Sequence, residues 1–167
     1  MTTTSFISNA RVRALSMTQR LDWLGPLVAR ITLGVLFVST GWGKVHDLGK
    51  VTAFFSELGI PFPGIQAPMV SFIELFGGAL LLIGLGTRLA ALPLMASMAV
   101  AILTAQRENV HGLPDLFGLV EWTYFALLLW LAFAGPGKVS LDRVLFGRNR
   151  GQDTSRSLDA ELSAKAV

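Results

Sequence analysis

Two glutamates, Glu74 and Glu121, lie within apolar stretches of this sequence, and Lys44 closes another such stretch. An ionisable side chain in a membrane-like interior costs about 2.5 to 3.5 kcal/mol on insertion scales, so each one needs a partner or a function. Pairing Lys44 with Glu74 or Glu121 would offset that cost. Carboxylates and an ammonium group that meet in a dry interior can also bind the polar head of a small molecule or relay protons.

Further polar groups, Arg107 and Glu108, close the third apolar stretch on the same side of the membrane. We therefore predict a buried polar pocket near the outer surface, formed by Lys44, Glu74, Glu121, Arg107 and Glu108. Two interpretations of this cluster stay open. It is either a set of ion pairs that fixes the register of the helices, or a site for a small molecule, a proton or a quinone headgroup.

Two histidines, His46 and His111, stand near the ends of apolar stretches. They are weak candidates for metal ligands, because their spacing matches no recognised ligand motif. We predict no metal site. The sequence contains no cysteine, which excludes disulfides, thiolate metal sites and covalently attached c-type haem in this chain.

The elements that must position these residues are four apolar stretches, at residues 24–42, 67–85, 89–105 and 116–134. Each has about the 17 to 25 residues that cross the hydrocarbon core of a bilayer as a helix. With 52% hydrophobic and 15% charged residues, the chain has too little polar surface for a soluble domain. Its basic residues adjoin apolar runs, which indicates a membrane and no nucleic acid. We predict an all-α integral membrane four-helix bundle.

The pattern of small residues indicates which way Glu74 faces. Gly77 and Gly78 follow Glu74 by about one helical turn, and small residues mark the faces where membrane helices approach closely. We therefore expect Glu74 to point into the bundle. At the other membrane surface, Arg30 and Arg88 are expected to extend to the lipid headgroups.

The distribution of charge predicts the orientation of the chain. Most of the 14 Lys and Arg residues fall on the side of the two termini, so the positive-inside rule places both termini in the cytoplasm. The chain then divides into a basic cytoplasmic segment at 1–23, a four-span membrane domain at 24–146 and a disordered cytoplasmic tail at 147–167. Between the first two spans, apolar residues at helical spacing predict a short interfacial helix: Val51, Phe54, Phe55 and Leu58.

Several segments taken in order resemble the DoxX family of membrane proteins over about residues 30 to 146. They are Gly41-Trp42-Gly43-Lys44, the segment from Glu74 to Arg88 with its Gly-x-x-Thr-Arg end, Gly118 with Glu121, and the segment 135–142. The resemblance implies a four-helix protein of the bacterial inner (plasma) membrane, and it carries over Lys44, Glu74, Arg88 and Glu121 as functional candidates. The sequence departs from the family at Leu119, where a second glycine often precedes the last glutamate.

The family takes its name from a membrane subunit linked to quinone-coupled oxidation of sulfur compounds, and relatives have been tied to redox-stress complexes. By that resemblance we expect an accessory membrane subunit of a quinone-linked oxidoreductase or redox-stress system, which is not catalytic alone. No cofactor follows from the sequence itself, and a quinone is the candidate. The expected partners are the lipid bilayer, a redox partner protein and a second copy in a homodimer. The alternatives are a carrier for a small metabolite or a proton, and a scaffold or assembly factor without chemistry of its own.

Overall fold

A computed structural model describes residues 23–137 and 139–143. The predictions for the basic segment at 1–23, apart from its last residue, and for the tail at 147–167 lie outside the described residues.

Every regular element in the described part of the chain is helical. The elements are α1 (Leu24–His46), α2 (Leu48–Glu57), α3 (Pro63–Ile83), α4 (Thr87–Leu103), α5 (Leu113–Gly118) and α6 (Val120–Ala134), with a 3-10 turn at Arg107–Asn109. The predicted all-α class is confirmed for these residues, and a helix forms between the first two apolar stretches as predicted.

Two of these helices, α1 and α3, are long and apolar enough to cross a membrane by length and composition. The helices α4 and α6 are apolar but shorter, with 17 and 15 residues. A helix of 15 residues spans about 22 Å at 1.5 Å per residue, which is less than the roughly 30 Å of hydrocarbon in a typical bilayer.

The prediction that residues 116–134 form a single helix is wrong. Leu119 has extended backbone angles (φ −71°, ψ 138°) and separates α5 from α6. The preceding residue is Gly118, and glycine is a poor helix former. As a result, Glu121 lies in the first turn of α6, where the unpaired backbone N–H groups of a helix favour a negative charge.

The helices α1 and α3 pack with their backbones in contact. A Cβ atom on Gly41 would lie 2.4 Å from the backbone nitrogen of Leu75, and one on Gly78 would lie 2.7 Å from that of Val38. Only glycine allows this approach, which agrees with the small-residue face predicted from the sequence. The other main packing is between α4 and α6, and the shared core includes the fully buried side chains Leu33, Phe37, Leu81, Leu94 and Leu128.

The prediction that Arg30 extends to lipid headgroups is wrong, since its side chain is only 2% exposed. Its Nε donates to the carbonyl of Leu81 at 2.9 Å. Its Nη1 donates to the carbonyls of Pro136 at 2.5 Å and Val139 at 2.7 Å. These acceptors lie at the end of α3 and in the segment after α6, and a helix C-terminus attracts a cation. Arg30 therefore joins the first helix to the last described segment.

The last described segment also docks on the turn between α3 and α4. The backbone N–H of Gly86 donates to Oδ1 of Asp142 at 2.8 Å, and the backbone N–H of Asp142 donates to the carbonyl of Gly84 at 3.1 Å. Both glycines have positive φ angles, 70° for Gly84 and 57° for Gly86, which glycine adopts without strain. The turn therefore ends α3 and begins α4 in a fixed geometry.

Candidate functional site

Glu74 lies at the centre of a polar cluster formed by three helices. Its side chain is 2% exposed. The Nζ of Lys44 lies 2.6 Å from Oε1 and 2.7 Å from Oε2 of Glu74. Thr40 Oγ1 donates to Oε2 at 3.2 Å, and Ser97 Oγ donates to Oε1 at 3.2 Å. Glu74 points into the bundle as predicted, and of the two partners left open for Lys44, Glu74 and Glu121, the structure pairs it with Glu74.

The sequence spacing explains how these donors meet Glu74. Thr40 and Lys44 stand four residues apart in α1, so they lie on the same face of that helix. Glu74 comes from α3 and Ser97 from α4. Each carboxylate oxygen receives two hydrogen bonds, so the protein itself supplies four donors to Glu74.

The Glu74 cluster forms one wall of a cavity of about 710 Å³. This volume falls within the range of about 300 to 1,000 Å³ that is usual for small-molecule sites. The rest of the wall is mainly apolar and includes Val51, Phe54, Phe55 and Leu58 from α2. The apolar face that predicted the short helix is therefore the face that lines the cavity.

Three apolar side chains of the cavity wall keep much of their surface accessible. Phe54 of α2, Met69 of α3 and Val100 of α4 all line the cavity and are each exposed over about half of their surface. The cavity therefore opens to the surroundings at these side chains. An opening lined by apolar groups admits an apolar molecule at little desolvation cost.

Glu121 lines the same cavity as Glu74. Its Oε1 accepts a hydrogen bond from Nε2 of Gln106 at 2.8 Å, and Oε1 of Gln106 accepts one from Nδ2 of Asn109 at 2.8 Å. Within residues 23–137 and 139–143, the ion pairs are Lys44 with Glu74 and Lys50 with Asp47. Glu121 is in neither, so the observed cavity is lined by one paired carboxylate, Glu74, and one that is in no ion pair of these residues.

Arg107 and Glu108, the other two predicted pocket residues, do not line this cavity. They form the exposed 3-10 turn after α4. Arg88 lies at the other end of α4 from the cavity, where its Nη2 donates to the carbonyl of Phe133 at 3.2 Å. The side chain of Arg88 is exposed, and its contact with lipid headgroups stays a prediction.

The two histidines do not meet a set of further ligands. His46 Nδ1 lies 2.9 Å from the carbonyl of Trp42, and the two rings lie against each other with centroids 4.4 Å apart. At His111 the backbone N–H donates to Oδ2 of Asp115 at 3.1 Å. The described part of the chain contains no group of three His, Cys, Asp or Glu residues that could hold a metal ion.

The polar residues of the cavity that were not predicted as site residues are Thr40, Lys50, Gln66, Ser97, Thr104, Gln106 and Tyr124. Thr40 could have been found, since it precedes Lys44 by one helical turn. Tyr124 follows Glu121 by three residues and lies on the same face of α6. Its ring packs edge-to-face on Phe37, with centroids 6.4 Å apart. Ser97 gave no signal beyond being a hydroxyl in an apolar helix.

The DoxX family model matches residues 25–107 of the chain, a range that contains Lys44 and Glu74. "Inner membrane protein YqjF" of Escherichia coli is 32% identical over 127 residues, which cover 76% of this chain and 96% of that protein. "Putative oxidoreductase CatD" of Bacillus subtilis is 29% identical over 131 residues, covering 77% and 92%. A protein of Mycobacterium tuberculosis named as a membrane protein is 33% identical over 132 residues, covering 71% and 80%. No solved structure matches the chain.

Proposed function

The chain belongs to the DoxX family of membrane proteins, and from that premise we propose that it is an accessory membrane subunit of a quinone-linked oxidoreductase or redox-stress system. In this proposal the cavity beside Glu74 binds the quinone. A partner protein carries the electrons to or from it. The relative named as an oxidoreductase supports the redox assignment.

The membrane arrangement is part of the proposal. The four apolar helices α1, α3, α4 and α6 cross the bacterial inner membrane as a bundle, with both termini in the cytoplasm. The shorter α4 and α6 are accommodated by local thinning of the bilayer, which costs only a fraction of a kcal/mol per Å. The cavity then lies in the outer half of the bundle, with α2 closing it on the outer side.

The observation that carries the proposal is the ion pair of Lys44 and Glu74 at the wall of a large apolar cavity. A quinone has an apolar ring and tail and two carbonyl oxygens that accept hydrogen bonds. Lys44 has three N–H donors and directs two of them to Glu74, which leaves one for a carbonyl. The apolar opening at Phe54, Met69 and Val100 faces lipid in this arrangement and admits the tail.

The experiment is a quinone-binding titration of the purified full chain in lipid nanodiscs. The wild type should bind one molecule of decylubiquinone per chain at saturation. Lys44→Met should weaken this binding at least tenfold, which is the effect expected from the loss of one hydrogen bond to a charged donor. Arg107→Met is the matched control, because Arg107 is an exposed cation that does not line the cavity. A correctly folded wild type that binds no quinone refutes the proposal.

A purely structural role for the ion pair is the second candidate. It is favoured by the four donors that the protein itself supplies to Glu74, since a site poised for a ligand usually leaves some bonding capacity free. Under this alternative the protein is a scaffold or assembly factor. Lys44→Met would then lower the free energy of unfolding, and the correctly folded wild type would bind no decylubiquinone in the titration above.

A further inference from the structure

The two carboxylates that line the cavity differ in how far the protein satisfies them. Glu74 accepts four hydrogen bonds, two of them from an ammonium group. Among the described residues, Glu121 accepts one side-chain hydrogen bond, from Gln106. An ionised carboxylate offers about four acceptor positions. Most of the acceptor capacity of Glu121 is therefore available to a molecule in the cavity.

The position of Glu121 explains how its charge is tolerated without an ion-pair partner among residues 23–137 and 139–143. It is the second residue of α6, where the N-terminal end of the helix dipole stabilises a negative charge. The half-buried side chain also faces the cavity. A ligand group that reaches the carboxylate oxygens of Glu121 themselves therefore meets an acceptor.

We infer that the cavity binds the reduced form of its ligand, a hydroquinone, in preference to the oxidised quinone. This inference rests on the proposed function. A hydroquinone carries two O–H groups, and one of them donates to the free acceptor positions of Glu121. A quinone carries only carbonyl acceptors. Its oxygen beside Glu121 would face a carboxylate oxygen with no proton between them, so neither oxygen would have a hydrogen-bond donor there.

The preference has a consequence for the redox couple. Reduction of the quinone adds two electrons and two protons and gives the hydroquinone. A site that binds the hydroquinone more tightly makes the bound quinone easier to reduce. For a two-electron couple, a tenfold preference raises the midpoint potential of the bound ligand by about 30 mV. The protein's part is binding alone, because the electrons come from the partner protein of the proposed function.

The test compares the two redox forms of one probe on the full chain in nanodiscs. Decylubiquinone and decylubiquinol are titrated separately, the latter under anaerobic conditions. We expect the wild type to bind decylubiquinol about tenfold more tightly, which is the size expected for one hydrogen bond to a charged group. Comparing the two affinities of the wild type tests the inference without any variant.

Two glutamate variants show whether Glu121 is the cause. Glu121→Gln keeps the shape of the side chain and removes its charge. It should abolish the preference and strengthen decylubiquinone binding, because the amide N–H can donate to the quinone carbonyl. Glu108→Gln is the matched control, since Glu108 is exposed and does not line the cavity, and it should keep the preference. Equal binding of both forms by the wild type, or a preference that persists in Glu121→Gln, overturns this inference alone. Binding of neither form overturns the proposed function as well.

Discussion

Lys44→Met, which removes the ammonium group from the ion pair with Glu74, should destabilise the protein strongly. The carboxylate would stay 2% exposed and would keep only the hydroxyls of Thr40 and Ser97 as partners. Removing one partner of a buried ion pair typically costs about 3 to 5 kcal/mol, because it leaves an uncompensated charge. The side chain of Lys44 is 33% exposed, so water screens part of the interaction. We therefore expect the lower end, about 3 kcal/mol.

The reverse change should cost less. In Glu74→Gln the amide oxygen still accepts a hydrogen bond, and the partly exposed ammonium of Lys44 remains within reach of water. We expect a loss of about 1 to 2 kcal/mol, the size of one hydrogen bond made by a charged group. The asymmetry follows from the different exposure of the two side chains, 2% for Glu74 and 33% for Lys44.

The assay is the free energy of unfolding of the purified chain in detergent micelles, measured for both single variants and the double variant. The double variant isolates the energy that couples Lys44 and Glu74. Arg107→Met serves as the surface control and should change stability by no more than about 0.5 kcal/mol. A loss in Lys44→Met no larger than that of the control, or a loss in Glu74→Gln larger than that in Lys44→Met, would refute the reasoning.

Three further predictions concern other parts of the fold. Gly41→Ala should lower the melting temperature of the purified chain, because its Cβ would meet the backbone of α3, whereas Gly43→Ala should not, because a Cβ there has no atom within 4 Å. Arg30→Met should cost about 3 kcal/mol in the same micelle unfolding assay, since it removes the side-chain donor from the buried carbonyl of Leu81 and from the partly buried carbonyls of Pro136 and Val139. The Lys50 side chain donates to the carboxylate of Asp47 and lowers its pKa from 3.8. The stabilisation of α2 by this pair should therefore be complete above pH about 4 and should be lost as the pH falls through the folded-state pKa of Asp47. The measurement is the pH dependence of hydrogen exchange of the α2 amides in the wild type, compared with that in Asp47→Asn.

The sequence was sufficient to predict the ion pair at the centre of the site, because a buried charge requires a partner. A glutamate inside an apolar helix must find a donor, and Lys44 was a cation at the matching depth. The glycines beside Glu74 then gave the direction in which it points. These arguments depend on single helices and their spacing, which a sequence records directly.

The remaining features depended on contacts between distant segments. Arg30 and Arg88 both stand near the ends of apolar stretches, and their sequence context does not distinguish a headgroup contact from a set of buried carbonyls. Arg107 and Glu108 lie beside Gln106, which does line the cavity. Arg107 and Glu108 belong to a 3-10 turn, in which a shift of one residue rotates the side chain by about 120°, so neighbours in the sequence face different surroundings. The hydropathy of residues 116–134 gives no sign of the helix break at Leu119.

The contacts of Arg30 have a consequence for how the chain is made. Its acceptors are separated from it by 51 residues at Leu81 and by 106 and 109 residues at Pro136 and Val139. During synthesis the first helix therefore leaves the ribosome long before these carbonyls exist. The guanidinium must stay solvated at the bilayer edge until α3 and then the last segment arrive. In the proposed arrangement the cytoplasmic end therefore closes only after residues 136–139 have been made, and a nascent chain that stops before residue 136 remains open there.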